Sequence, residues 1–177
     1  DPSTYTTLTL SGSGTKTIGS GNTVSFSSAS VASGVTLSVS GTLNCGTILV
    51  TGAGAFTLAS GGTLGIGSTD GITSGSSASG NIQVTGTRTF NAAGNYTYNG
   101  TANQNIGSGF PDNLTGILTI NNTGSLNKTV TLDNARTIAN GGSIVLTAGT
   151  FAAGTNLTMS STSSISRSAA DMTGTIQ

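Results

Sequence analysis

The chain has 177 residues, only 6% of them charged, and its five basic and five acidic residues cancel to a formal net charge of zero. The five cations are scattered, which excludes the clustered Lys and Arg that a nucleic-acid surface needs. The longest apolar run is three or four residues, whereas a transmembrane helix needs about 20. We therefore expect no nucleic-acid partner and no membrane insertion.

Short runs in which apolar residues alternate with Thr or Ser recur along the whole chain. Alternation at period two, rich in β-branched residues, predicts strands and not helices. The runs end at Gly, Asn or Ser-Gly, which supply turns. In chain order, the clearest runs are Leu8–Leu10, Val35–Leu37, Phe56–Leu58, Val130–Leu132 and Ile144–Leu146.

These runs repeat at a regular distance. Residues 35–43 align with residues 56–64 at an offset of 21, and later runs recur at steps of about 12 to 14. Glycines lie at corners between similar runs, whereas a hairpin sandwich would show two-residue Asn-Gly or Asp-Gly turns. The pattern predicts an all-β, right-handed parallel β-solenoid with irregular coils of about 20–27 residues. We expect one domain over residues 1–177, with longer loops around residues 79–112.

The stretch from Leu64 to Gly75 places four glycines around Asp70 and resembles the start of a phosphate-binding loop. Such a loop needs the amino terminus of a following helix, and this chain offers no helical period. A calcium-binding solenoid would repeat its Gly-Gly-x-Gly-x-Asp unit in tandem, and nothing here repeats around Asp70. We therefore interpret the stretch as a corner between strands.

Aromatic residues concentrate in residues 79–112, where Tyr96 and Tyr98 alternate with Thr97. Period two directs both tyrosines to the same side of one strand. They either pack in the core, with Phe90 and Phe110, or form an exposed platform on which a sugar could stack. The sequence leaves both alternatives open.

No motif in the sequence assembles a catalytic group. The chain has no His and no Glu, and its acids are Asp1, Asp70, Asp112, Asp133 and Asp171, three of which adjoin turn residues. Cys45 is the only cysteine, so an intramolecular disulfide is excluded, and it lacks a His to activate it. We expect no enzymatic activity, no catalytic or metal-binding residues, no cofactor, and a buried, unreactive Cys45.

Three short sequence segments, in their order along the chain, resemble those of a known group of proteins. They are residues 98–101 (Tyr-Asn-Gly-Thr), 107–111 (Gly-Ser-Gly-Phe-Pro) and 118–122 (Leu-Thr-Ile-Asn-Asn). Together with the rest of the sequence from Leu58 to Met159, they resemble segments of the large secreted β-repeat proteins of Bacteroidota, which are adhesin-like, gliding-associated surface chains. The resemblance implies a secreted or cell-surface structural segment without enzymatic activity. Those chains run to many hundreds of residues, so this one would be a fragment or a small polymerising subunit.

The two ends of the predicted solenoid carry no charged or helical cap. Open coil ends leave backbone groups unpaired and can template another strand. We therefore expect a filament subunit or adhesin segment that contacts another copy head to tail, or adjoining segments of a longer chain. The expected assembly strand contains Tyr5, Thr7, Leu8, Thr9 and Leu10, and it would pair by strand addition. The start at Asp1-Pro2, without Met, indicates a processed or trimmed product.

The alternative function is a module that binds glycan or ice on a face lined by Thr, Asn or Tyr. A surface glycan would stack on Tyr96 and Tyr98. Ice would require flat ranks of Thr-x-Thr, although their irregular spacing does not assure a single rank. The units are Thr7-x-Thr9, Thr15-x-Thr17, Thr85-x-Thr87-x-Thr89, Thr129-x-Thr131 and Thr173-x-Thr175.

Overall fold

A computed structural model describes residues 2–75, 79–126, 128–168 and 171–176. All regular elements among these residues are strands. In the first half of the chain they are β1 (Pro2–Tyr5), β2 (Leu8–Leu10), β3 (Gly14–Ile18), β4 (Thr23–Phe26), β5 (Ala29–Val31), β6 (Val35–Val39), β7 (Thr42–Asn44), β8 (Val50–Thr51), β9 (Ala55–Leu58), β10 (Thr63–Ile66) and β11 (Arg88–Phe90). In the second half they are β12 (Asn95–Tyr98), β13 (Gln104–Asn105), β14 (Asn113–Leu114), β15 (Ile117–Asn121), β16 (Thr129–Thr131), β17 (Arg136–Ile138), β18 (Ser143–Ala148), β19 (Thr150–Met159), β20 (Ser164–Arg167) and β21 (Asp171–Ile176).

One long parallel sheet shows that the chain is a β-solenoid. Its eight strands lie in the order β1-β4-β7-β10-β12-β15-β18-β20, so each coil contributes one strand and stacks on the coil before it. All of these pairings are parallel. The prediction of an all-β parallel solenoid is therefore confirmed.

The remaining strands form the other sides of the coils. In the first half, β2-β5-β8 make a three-stranded sheet and β3-β6-β9-β11 make a four-stranded one. In the second half, one six-stranded sheet replaces them, because the long β19 pairs with β16 near its start and with β17 near its end. β21 then pairs with β19.

The core consists of columns of side chains that the parallel register stacks one above another. Alternate residues of each strand point to the same side, so a stacked register places equivalent residues in line. One column of the eight-stranded sheet contains Ser3, Val24, Leu43, Leu64, Tyr96, Leu118, Ile144 and Ile165. The next column includes Tyr5, Phe26, Ile66, Tyr98, Ile120, Leu146 and Arg167, with Cys45 directly after β7.

The coils differ in length more than the sequence predicts. Val24 pairs with Leu43, 19 positions later, whereas Leu64 pairs with Tyr96, 32 positions later. The predicted range of 20–27 therefore misses the extremes. The extra residues of the longest coil lie mainly in 67–87, between β10 and β11, which overlaps the predicted loop region of 79–112 only in part.

A column of glycines occupies the corner before the eight-stranded sheet. In five consecutive coils the residue directly before the sheet strand is glycine: Gly41, Gly62, Gly94, Gly116 and Gly142. A Cβ on Gly41 would overlap the carbonyl oxygen of Gly19 in the preceding coil, and one on Gly116 would overlap that of Gly94. At four of the five positions a backbone oxygen of the preceding coil leaves no room for a Cβ, whereas at Gly94 the nearest atom belongs to the Leu58 side chain. The residues directly before β4 and β20 are Asn22 and Ser163 instead.

Candidate functional site

The first coil leaves the end of the core open. A cavity of about 350 Å³ lies there, lined mainly by Tyr5, Leu8, Leu10, Lys16 and Val24. Tyr5 is 44% exposed, although its column continues as fully or nearly buried residues in the next coils. The predicted assembly strand therefore divides: Tyr5, Leu8 and Leu10 line the cavity, whereas Thr7 and Thr9 are exposed on the outside.

Hydrogen bonding shows which backbone groups of β2 remain available. The Leu8 N–H donates to the Ser28 carbonyl at 2.9 Å, and the Leu10 carbonyl accepts from the Ala32 N–H at 2.9 Å. In a parallel pair, successive residues direct their backbone groups to opposite sides of the strand. The N–H and carbonyl of Thr9 therefore point away from β5, toward the open edge.

Lys16 occupies an inward position at this same end. Its register partner in the next coil is Leu37, which pairs in turn with Phe56, so the lysine heads a column of two buried apolar residues that ends at Arg88. Natural sheets use inward-pointing charges, Lys above all, to weaken edge-to-edge pairing. This lysine could not be recognised from the sequence as a charged cap, because its inward position depends on the register of β3 with β6.

The last coil ends the two core columns on one half-buried and one exposed side chain. Ile165 is half-buried, and Arg167 follows Leu146 in the second column. The Arg167 guanidinium donates to the Asp171 carboxylate at 2.5 Å, with both side chains well exposed. An exposed pair of this kind contributes at most about 1 kcal/mol.

Tyr96 and Tyr98 do not form a ligand platform, which corrects the second alternative for these residues. Both are fully buried in the core columns. The Tyr96 hydroxyl donates to the Asn91 carbonyl at 2.7 Å, and the Tyr98 hydroxyl to the Ile106 carbonyl at 2.6 Å. Burial raises the pKa of both phenols well above the usual value. Phe110 packs edge-on against Tyr96, with 5.0 Å between ring centroids, so the interpretation as core aromatics is confirmed.

Two of the acidic residues bind partners within the protein. The Asp112 carboxylate pairs with the buried Arg136 at 3.0 Å, and the Asp133 carboxylate accepts from the Gly107 N–H at 3.2 Å. Asp70 lies in an exposed turn. Within the described residues, no three Asp or Cys side chains come close enough to hold a metal ion.

Cys45 lies in the core of the third coil. It is 2% exposed, and burial raises the pKa of its thiol to about 12. Because only the thiolate reacts readily, the folded protein holds this thiol in its unreactive form at neutral pH. Its packing role agrees with the expectation from sequence.

A buried amide cluster, which the sequence analysis missed, joins the longest coil to its neighbours. Asn81 accepts from the N–H groups of Gly67 and Ser68 at 3.1 and 3.0 Å, and it donates to the carbonyls of Gly46 and Ile48, both at 2.8 Å. Its side chain is fully buried. The Asn81 side chain therefore accepts two hydrogen bonds and donates two, so both its oxygen and its NH₂ group are fully used.

Gln104 and Asn122 extend the cluster to later coils. The Gln104 amide donates to the carbonyls of Ile66 and Ser68 at 2.9 and 3.1 Å, and the Asn122 amide donates to Gln104 Oε1 at 3.1 Å. Each amide satisfies backbone groups at a place where the strands are interrupted. This role needs side chains that both donate and accept, which Asn and Gln supply without charge.

The outer surface of the four-stranded sheet carries hydroxyl groups in register. One column contains Thr17, Ser38, Thr57 and Thr89, and the parallel one contains Thr15, Thr36, Ala55 and Thr87. Neighbouring parallel strands lie about 4.8 Å apart. Two of the Thr-x-Thr units noted in the sequence, Thr15-x-Thr17 and Thr87-x-Thr89, are thus brought to one face. The units at Thr7 and Thr129 lie on other sheets.

The fold and its columns define the class of the protein as a parallel β-solenoid repeat protein. Comparison with known proteins found no matching family model, no matching curated protein and no matching solved structure. Among the described residues, no helix has the length and apolar character needed to cross a bilayer.

Proposed function

We propose that this chain is a non-enzymatic, extracellular structural protein: a filament subunit or a segment of a cell-surface adhesin. Its coils stack end to end with coils of another copy or of adjoining chain. The observation that carries the proposal is the open first coil. There the core columns end in a cavity of about 350 Å³, beside backbone groups that point to an unpaired edge.

Several further features support this role. The core is continuous over eight coils, and an added coil would extend the same columns with the same spacing. A second copy placed head to tail would set its β20 beside β1, where Ile165 would follow Ser3 and Arg167 would face Tyr5. A guanidinium over a tyrosine ring is a favourable contact. The extracellular location rests on the resemblance of residues 58–159 to secreted surface repeats.

Thr9→Pro tests end-on assembly. Proline has no N–H and blocks strand addition at the edge, while the β2–β5 bonds made by Leu8 and Leu10 remain. We expect Thr9→Pro to shorten or abolish filaments seen by electron microscopy and to lower the mass measured by sedimentation at high concentration. Thr9→Val keeps the N–H and is the matched control.

Lys16→Leu tests the same end of the solenoid with the opposite expected effect. Removing the charge that heads the Leu37 column is expected to strengthen association. Monomers alone at high concentration of the unchanged protein, or equal assembly of Thr9→Pro and Thr9→Val, would rule out assembly through this end.

Ice binding is the second candidate, and the register of Thr17, Ser38, Thr57 and Thr89 is what favours it. A flat array of hydroxyl and methyl groups at fixed spacing suits a crystalline surface. If the face binds ice, Thr57→Lys in its centre abolishes thermal hysteresis. Thr119→Lys, on the outer side of the eight-stranded sheet, leaves it unchanged. An absence of hysteresis in the unchanged protein at high concentration excludes this function.

A further inference from the structure

A second cavity lies on the outside of the solenoid, far in sequence from the open end. It is a groove of about 330 Å³ whose outer residues are Thr69, Asp70, Asn103, Asn105 and Thr131, with Thr129 and Gln104 completing it. Its size falls within the range of small-ligand sites, about 300–1,000 Å³. From the sequence, Asp70 was interpreted as part of a corner, and Thr129-x-Thr131 was considered only as a possible ice-binding unit. The other residues of the groove were not singled out for a ligand.

The groove exists because the longest coil turns over the edge of the six-stranded sheet. β13 is the end strand of that sheet. The Asn105 N–H donates to the Thr69 carbonyl at 2.8 Å, so the turn at 69–70 closes the edge and overhangs it. The register of Asn105 with Thr131 then sets the amide and the hydroxyl side by side on the outer surface.

The groove presents hydrogen-bonding groups that the protein itself does not use. The side-chain Oδ1 of Asn103 accepts from the Thr129 N–H at 3.0 Å, which fixes that amide, and the Asn103 NH₂ group has no hydrogen-bond partner among the described residues. Within the described residues, neither the Asp70 carboxylate nor the Asn105 amide makes a hydrogen bond, and no cation pairs with Asp70. Gln104 differs, because its amide already hydrogen-bonds to the backbone of Gly100, Ile66 and Ser68.

We propose that this groove binds a neutral saccharide through the Asp70 carboxylate, the Asn103 and Asn105 amides, and the hydroxyls of Thr129 and Thr131. Adjacent hydroxyls of a sugar both donate and accept. A carboxylate accepts two O–H donors in strong, charge-assisted bonds, while an amide donates to one oxygen and accepts from another. This combination matches a polyol better than it matches a cation, because Asp70 is the only acid in the groove. It also disfavours anionic ligands, since no cation lines the groove.

The saccharide site goes beyond the proposed structural role and is independent of it. A rod could display the groove without assembling, and it could assemble without binding sugar. It also relocates the expected glycan contact, because the tyrosines first considered for it are buried.

The test uses nuclear magnetic resonance of the whole chain with a panel of neutral hexoses and their disaccharides, each at tens of millimolar. We expect at least one sugar to shift the amide signals of residues 69–70, 103–105 and 129–131. Asp70→Asn and Asn105→Ala should each weaken that sugar's binding at least fivefold. Asp171→Asn, which removes the same charge from a different exposed position, should leave affinity within twofold.

Three results would overturn the proposal. The first is the absence of shifts with every sugar in the panel. The second is binding that Asp70→Asn and Asn105→Ala leave unchanged. The third is a response of the same signals to calcium chloride alone, with none to sugars, which would make the groove a cation site. Circular dichroism of each variant confirms that the fold is retained, so a loss of binding reports on the groove.

Discussion

Gly62→Ala is expected to cause one of the largest losses of stability that a single methyl group can produce in this chain. A Cβ at Gly62 would overlap the carbonyl oxygen of Val39 in the preceding coil, and it would also crowd the Ala59 carbonyl. Both neighbours are backbone, so neither can rotate away. We expect a loss of about 3 kcal/mol or more, which is at the upper end for an overpacked site. Urea unfolding followed by circular dichroism measures it.

The adjacent glycine supplies a matched control for this prediction. Gly61 has a φ of +74°, but a Cβ there would meet nothing within 4 Å. Gly61→Ala should therefore cost only the backbone strain of a left-handed residue, about 1–2 kcal/mol. Equal losses for the two variants would mean that the corner can open to admit a side chain and that the glycine column is not a packing requirement.

Asn81→Ala is the second substitution from which we expect a large effect. It removes four hydrogen bonds at once, one buried and three partly buried, and leaves two N–H groups and two carbonyls without their partner. Each buried group that loses its partner costs about 1–3 kcal/mol. We expect a total loss of at least about 4 kcal/mol, since these bonds act as a unit. Thermal or urea unfolding measures the change.

Asn140→Ala is the control, because it makes the same substitution at an asparagine outside the buried cluster. Asn140 is exposed in a turn, and its replacement should alter stability by no more than about 0.5 kcal/mol. The interpretation of Asn81 fails if its variant loses less than 1 kcal/mol, because the four backbone groups would then have found other partners. Hydrogen exchange at Gly67 and Ser68 would locate the opening.

The strands and their parallel stacking could be predicted from sequence, but the register could not. The alignment of residues 35–43 with residues 56–64 by sequence similarity places Val35 opposite Phe56. The structure instead pairs Leu37 with Phe56. A shift of two residues keeps every side chain on its own side of a strand, so period two does not detect it. The two-residue difference is compensated at the next corner, because more residues separate Leu58 from Leu64 than separate Val39 from Leu43.

The same limit explains the tyrosines and the amide cluster. Period two places Tyr96 and Tyr98 on one side of β12 but does not say whether that side faces the core. The partners of Asn81 lie 13 to 35 positions away along the chain. No local pattern signals them, because they depend on how an irregular coil is folded back. The groove at Asp70 depends on the same irregular coil and was hidden for the same reason.

The sequential order of the strands in the eight-stranded sheet also determines how the molecule would respond to a force along its axis. Each inner strand of that sheet bonds only to the coil before and the coil after, and β1 and β20 lie at opposite ends. Tension between the ends would therefore strip one coil after another instead of breaking the whole sheet together. Coils of 19 to 32 residues would each release about 60–110 Å of chain, at about 3.4 Å per residue. The rod would behave as an extensible tether that lengthens in unequal steps.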